Sequence, residues 1–320
     1  EKEIRENMRL ITFKKSNPLS TTRIGVIHEK NDNIIIDLNN TNKNIPSNML
    51  AFLSMGEKGI ALAKEAMNSG EHIKMDSVVL CQPITNPEKI ICAGANYKDH
   101  VEESMNSGAK IAGMDNSALD PNSPVPLFHK FNTSLIGPFD NIIRPTYTKH
   151  LDYESELVIV IGKICKGATE SNALDYVAGY MLGNDITARD YQHSPKKNPA
   201  KQHFIGKTPD NSCPTGPWIV TKDEIKDPNA LDLSCILNGE TMQSSNTKYL
   251  IHNCQNIIQY CSMLWTLKPG DLIFTGTPSG VGAARKPPVF LKPGDIVECH
   301  IEKLGFIKNT IIDENVTSKI

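Results

Sequence analysis

Between Leu151 and Gly162 the chain reads Leu-Asp-Tyr-Glu-Ser-Glu and then Leu-Val-Ile-Val-Ile-Gly. The second half is a run of large, mostly β-branched residues, the composition of a buried strand. The first half alternates acidic residues with others. Side chains alternate across a strand, so one continuous strand would put Asp152, Glu154 and Glu156 on a single face. Three carboxylates on one face repel, and burying each unpaired costs on the order of several kcal/mol. Such a face must either lie in water beside a basic neighbour or hold a cation. The acids lead directly into Leu157–Ile161, which has no polar residue, and that favours the cation.

The remaining composition narrows the function classes. Of 320 residues, 39% are hydrophobic and 22% charged, which suits one large core and a smaller one. The net charge of −2 is spread along the chain and aromatic residues make up only 6%, so neither a basic stripe nor a stacking platform for nucleic acid is expected. No apolar run is long enough to cross a bilayer. Glu1 to Arg9 mix acids and bases and lack the apolar centre of a secretory signal. Glu at position 1 reads as a trimmed or processed end, with Met8 as an alternative start. The eight cysteines form no C-x-x-C pair, which excludes a zinc ribbon or a thioredoxin-type motif. Several, such as Cys92 in Ile90–Ala93, sit in apolar runs and read as small buried hydrophobes in a reducing compartment.

Taken in order, residues 1–85 are expected to form a small N-terminal α+β unit. It would have strands at Leu10–Phe13, Ile24–Ile27 and Ile34–Leu38, a hairpin turn at Asn31-Asp32-Asn33 and a helix over Glu57–Met67. Residues 86–320 form the second unit. It opens with a buried strand at Lys89–Gly94, followed by Asn96-Tyr97-Lys98-Asp99-His100-Val101-Glu102-Glu103. If that segment is helical, His100 and Glu103 are neighbours on one face. A carboxylate beside an imidazole orients it and raises its basicity; a surface salt pair is the plainer alternative. Asn106 to Pro126 is rich in Gly, Ser, Asn, Asp and Pro and reads as a mobile lid. Asp185, Arg189 and Gln192 fall in one segment. They offer a hard metal ligand, a fork for a carboxylate and a carbonyl donor, or else a capped turn with an ion pair. Strands follow at Trp218–Val220, Leu231–Leu237 and Glu240–Gln243, with a turn at Asn238-Gly239. One amphipathic helix lies within residues 250–265. Two Lys-Pro-Gly-Asp turns each launch a strand. Between them Thr275–Gly282 is a Gly-rich loop without a Walker or dinucleotide-binding spacing, suited to close approach of the backbone to a carboxylate.

Four motifs stand in a shared order: Asn96-Tyr97-x-x-His100-x-x-Glu103, Asp152-x-Glu154-x-Glu156-Leu157, Gly183-Asn184-Asp185-x-Thr187-Ala188-Arg189-Asp190 and Thr275-Gly276-Thr277-Pro278-x-Gly280-Val281-Gly282. Together they resemble the fumarylacetoacetate hydrolase superfamily over roughly residues 86 to 310. Arg285–Leu291 and Gln243–Thr247 are similar to one branch within it. The resemblance implies an α+β, mainly β fold, a mixed β-sandwich roll, usually dimeric. It implies Mg²⁺, or Mn²⁺ or Ca²⁺, held by Glu154, Glu156 and Asp185. It assigns a catalytic pair to His100 and Glu103 and substrate contacts to Arg189, Gln192, Lys207 and Thr277, with Lys207 counted among the catalytic groups. Asp152 matches no metal ligand and is expected to support its neighbours.

The implied substrate is a small 2-oxo acid, whose carboxylate and keto oxygens chelate a hard cation that stabilises an enolate. Keto–enol tautomerisation of oxaloacetate is the first expectation. C–C hydrolysis of an acylpyruvate and decarboxylation of oxaloacetate are the enzymatic alternatives, and a metal-dependent dicarboxylate-binding protein is the alternative without catalysis. Arg189 could clamp a second carboxylate, and Lys207 could donate to an oxyanion. The implied location is the mitochondrial matrix or the cytoplasm.

Overall fold

The apolar run after the acidic residues forms the strand Ser155–Ile161, every residue of which is buried. The computed structural model that defines it describes residues 8–16, 20–28, 31–107, 119–192 and 194–314. The strand is covered on both faces, which explains why its sequence does not alternate with polar residues. Leu157, Ile159 and Ile161 face one core cluster, while Val158 and Val160 face another.

On either side the strand pairs antiparallel with Val177–Asn184 and with Leu272–Phe274. These belong to a sheet of twelve described strands. Its main path runs His72–Lys74, Asn31–Asp37, Arg23–His28, Arg9–Lys15, Cys213–Thr221, Val177–Asn184, Ser155–Ile161, Leu272–Phe274, Ile90–Ala93 and Leu127–His129. Val78–Cys81 pairs with Arg9–Lys15, and Leu135–Ile136 with Cys213–Thr221. Through the Arg9–Val220 and Leu10–Ile219 register, strands of the first 85 residues extend the same sheet. A second sheet, ordered Glu240–Asn246, Asp232–Leu237, Ile296–Ile301, Gly305–Asp313 and Ile142–Arg144, packs over the middle of the first. The first core cluster lies here, closed by Cys254, Ile257, Ile258 and Cys261 of the helix Cys254–Leu264. On the opposite face Phe52, Leu53, Ala63 and Ala66, from the helices Met49–Ser54 and Glu57–Ser69, cover Val158, Val160, Met181 and Phe274. The fold is the α+β, mainly β architecture expected from the sequence.

Three local readings change. Asn31, Asp32 and Asn33 are not a turn but open the strand Asn31–Asp37; the hairpin with Arg23–His28 stands, and its connecting residues 29–30 lie outside the described residues. That strand ends at Asp37, one residue earlier than expected. The Asp37 carboxylate receives Arg23 Nε at 2.7 Å and caps the next turn through Asn40 N at 3.0 Å, as short acidic side chains do at helix starts. The acidic stretch is also not one strand. Leu151–Asp152 pairs with Thr187–Ala188 in a separate ribbon, and the chain breaks at Tyr153-Glu154 before Ser155–Ile161 begins. The break lets Asp152 turn to different partners from Glu154 and Glu156.

Gly183 stands directly across from Glu156 in the sheet. A Cβ there would lie 2.3 Å from Phe274 Cε1 and 2.8 Å from Val158 Cγ2, so the absence of a side chain sets how closely the strands carrying the acids pack against Phe274. Gly183→Ala is expected to destabilise the protein by about 1–3 kcal/mol through overpacking, measured by urea unfolding. Unchanged stability would show that Phe274 yields without cost.

Candidate metal centre and active site

Glu154 and Glu156 continue the Val158 face of the central strand toward its N-terminal end. Continuing the strand register one step past Ser155–Asn184 sets Asp185 opposite Glu154, and Asp185 N donates to Glu154 O at 2.9 Å. Asn184 Oδ1 accepts Glu154 N at 2.9 Å and fixes the break in the chain. One carboxylate oxygen from each of Glu154, Glu156 and Asp185 lies within 4.8 Å of the others, and all three residues are buried. This is a cluster able to coordinate a divalent cation, and an all-oxygen donor set suits a hard one.

Three basic side chains meet the acids. Lys207 Nζ, on the one-turn helix Phe204–Lys207, lies 2.6 Å from Glu154 Oε2 and 2.7 Å from Asp185 Oδ2. Lys130 Nζ donates to Asp185 Oδ1 at 2.7 Å and to the carbonyl of Lys207. Arg189 Nε donates to Asp152 Oδ2 at 2.8 Å and Nη1 to Gln192 Oε1 at 3.0 Å. Its Nη2 lies 2.7 Å from Glu154 Oε1.

Glu156 is the exception. Its Oε2 accepts Gly276 N at 2.7 Å, and no basic side chain among the described residues pairs with it. The consequences for the two glutamates are opposite. Burial pushes the Glu154 carboxyl up, but the Lys207 and Arg189 charges outweigh burial and hold it at about 2. Burial, together with the Asp185 and Glu154 charges, pushes the Glu156 carboxyl well above the usual range. A cation among the three oxygens would reverse that penalty, so the residues fit a divalent ion.

The Gly-rich loop binds the protein's own acids. Besides Gly276 N to Glu156, Gly280 N donates to Glu103 at 2.9 Å, and Gly282 N and Ala283 N donate to Asp152 at 2.8 and 3.0 Å. Gly276 has φ +98, and a Cβ there would lie 2.9 Å from Asn96 Cβ, so only glycine presents this N–H to Glu156 without strain. Thr277 Oγ1 donates to Ser155 O at 3.1 Å and accepts Gln243 Nε2 at 2.8 Å.

His100 lies on the helix Lys98–Ser107 and is buried. Its Nδ1 is 3.4 Å from Glu103 Oε2, at the long limit of a hydrogen bond. Asp99 on the same helix accepts Ser279 Oγ at 2.6 Å, so the helix is fastened to the loop at two points. A cavity of about 450 Å³ is lined by His100, Glu154, Glu156, Arg189, Gln192, Lys207 and Thr277, and also by Phe128, His129, Lys201, His203 and Phe204. Asp185 lies behind this lining, and Glu103 stands behind His100. All nine residues singled out from the sequence thus gather at or just behind one cavity. The sequence reading did not single out Lys130, nor the wall made by Phe128, His129, Lys201, His203 and Phe204. The expected lid, Asn106 to Pro126, begins as the end of a helix, and residues 108–118 lie outside the described residues.

The model of the fumarylacetoacetate (FAA) hydrolase C-terminal family matches residues 89–312. The chain is 44% identical over 311 residues to "Oxaloacetate tautomerase fahd2, mitochondrial" of Xenopus laevis, covering 96% of this chain and 91% of that protein. It is 43% identical over 316 residues to the "Fumarylacetoacetate hydrolase domain-containing protein 2 homolog" of Dictyostelium discoideum, covering 95% and 97%. The domain-containing protein 2 branch is the one to which Arg285–Leu291 and Gln243–Thr247 pointed. Among solved structures, a fumarylacetoacetate hydrolase from Exiguobacterium antarcticum superposes with a TM-score of 0.79 at 34% identity, covering 96% of this chain and all of that one. A maleylpyruvate hydrolase from Sphingobium sp. SYK-6, solved with manganese(II) and pyruvate, superposes at 0.76 with 28% identity, covering 96% and 100%. The chain belongs to the fumarylacetoacetate hydrolase superfamily, in the branch of domain-containing protein 2.

Proposed function

We propose that the protein is a metal-dependent keto–enol tautomerase of a small 2-oxo dicarboxylic acid, with oxaloacetate as substrate. The observation that carries this reading is the convergence of three buried carboxylates at a cavity that also presents His100. Glu154, Glu156 and Asp185 are the residues that would hold the cation, with Mg²⁺ the first choice for an all-carboxylate set and Mn²⁺ or Ca²⁺ the alternatives. When bound, the cation supplies electrostatic stabilisation of the negative charge that develops on the keto oxygen of a 2-oxo acid. Supporting the ligand class, a solved relative carries manganese and pyruvate together in its structure. Supporting the reaction, relatives at 40–44% identity bear the name oxaloacetate tautomerase.

The chain's own groups then divide the work. His100 moves the proton at the substrate carbon next to the keto group, and Glu103, anchored by Gly280 N, orients the imidazole. Lys207 holds the Glu154 and Asp185 carboxylates close together through its two ion pairs. Gln192 sets the Arg189 guanidinium, which lines the cavity. Thr277 lines the cavity from the loop side. Residues 86–320 are assigned to the catalytic unit and 1–85 to the N-terminal one. A homodimer is part of the same proposal, and the mitochondrial names of relatives support that location.

Addition of the protein to enol-oxaloacetate in the presence of Mg²⁺ is expected to accelerate loss of the enol ultraviolet absorbance without forming pyruvate, and a chelator should abolish the acceleration. Pyruvate release would establish a decarboxylase instead. Acylpyruvate cleavage without enol loss would establish a C–C hydrolase. His100→Ala is expected to keep its Mg²⁺ affinity and lose about 10²- to 10⁴-fold in turnover, the usual worth of a positioned acid–base group. Full turnover by that variant would remove the imidazole from the reaction.

A further inference from the structure

A 2-oxo dicarboxylate brings a second carboxylate into a cavity that already holds two glutamates, with Asp185 behind them. Desolvating that group beside like charges is unfavourable unless a cation or an N–H donor meets it. The basic residues lining the cavity are His100, His129, Arg189, Lys201, His203 and Lys207. Most are already committed. The Arg189 charge is shared between Asp152 and Glu154, and the Lys207 charge between Glu154 and Asp185. His100 leans on Glu103, and the His129 ring stacks on Phe204 with centroids 5.1 Å apart. Lys201 is exposed at the lip and pairs with no carboxylate among the described residues. The Arg189 clamp expected from the sequence therefore has little charge left for a second carboxylate.

The segment that carries Lys201 is built rather than loose. Asn198, 1% exposed, donates Nδ2 to Gln192 O at 3.2 Å and to Gln202 O at 2.9 Å, and its Oδ1 accepts Gln202 N at 2.9 Å. Lys201 sits inside this clamp with φ +52, a conformation rare outside glycine. His203 follows two residues later, half-buried against Phe128, and Lys207 lies four residues further on at the acidic cluster. One short segment thus runs from the lip of the cavity to the carboxylates.

We propose that Lys201 forms the subsite for the second carboxylate of the substrate, and so sets the preference for 2-oxo dicarboxylates over 2-oxo monocarboxylates. This rests on the 2-oxo-acid reading of the cavity. Lys201 supplies the charge.

Pyruvate and oxaloacetate share the 2-oxo acid end and differ in the second carboxylate, so their affinities isolate the subsite. With Mg²⁺ present, calorimetry on the wild-type protein should show oxaloacetate binding at least about tenfold tighter than pyruvate, the worth of one charge-assisted hydrogen bond. Lys201→Met should reduce that ratio toward one while pyruvate affinity and melting temperature stay the same, and Lys201→Arg should retain it. A ratio preserved in Lys201→Met would overturn the subsite. Mg²⁺-dependent pyruvate binding with no preference for oxaloacetate in the wild type would also overturn it, and would leave the 2-oxo-acid reading standing. Absence of any Mg²⁺-dependent pyruvate or oxaloacetate binding would defeat that parent reading and the subsite together.

Discussion

The unequal charge balance at the end of the central strand governs the site. Asp152, Glu154, Glu156 and Asp185 are all buried, and three basic groups, Lys130, Arg189 and Lys207, meet them. Each ion pair satisfies an acid whose desolvation would otherwise cost several kcal/mol, to order of magnitude. Four acids against three bases leave one negative charge unmatched, and it falls on Glu156. A folded protein with such a residue must keep it protonated or give it a cation.

The surrounding architecture serves that balance. The central strand, buried on both faces, places Glu156, and Asn184 Oδ1 holds Glu154 through its N–H just before the strand begins. The adjacent strand delivers Asp185 by simple continuation of its register. The loop Thr275–Gly282 supplies backbone N–H groups to Glu156, Glu103 and Asp152, so one turn of chain ties the metal cluster, the His100 helix and the Arg189 anchor together. A shift of this loop would move all three at once. The same coupling explains why Asp152, although outside the carboxylate cluster, is wholly buried: it holds the guanidinium on one side and the loop on the other.

What could be read from the sequence followed local pattern. The acidic alternation and the apolar run announced a buried strand ending in charge, and the helical spacing of His100 and Glu103 put them on one face. The buried run could not reveal that Asp152 leaves the face of Glu154 and Glu156, because the break at Tyr153 is imposed by the ribbon with Thr187–Ala188. Lys130 was invisible for a different reason. It lies 55 residues from its partner Asp185, in a stretch with no acidic residue between Asp120 and Asp140, and only the fold of the sheet edge brings them together. Lys201 and His203 sit in a polar segment whose composition resembles any surface loop; their place at the cavity comes from the Asn198 clamp.

The central claim is that the three carboxylates form one cation site completed by Glu156. Electron paramagnetic resonance of Mn²⁺ titrated into the protein tests it most directly. One tightly bound Mn²⁺ per chain is expected in the wild type, with loss of that signal in Glu156→Gln at unchanged thermal stability of the metal-free protein. Equal Mn²⁺ affinity in Glu156→Gln, or no bound Mn²⁺ in the wild type, would contradict the account.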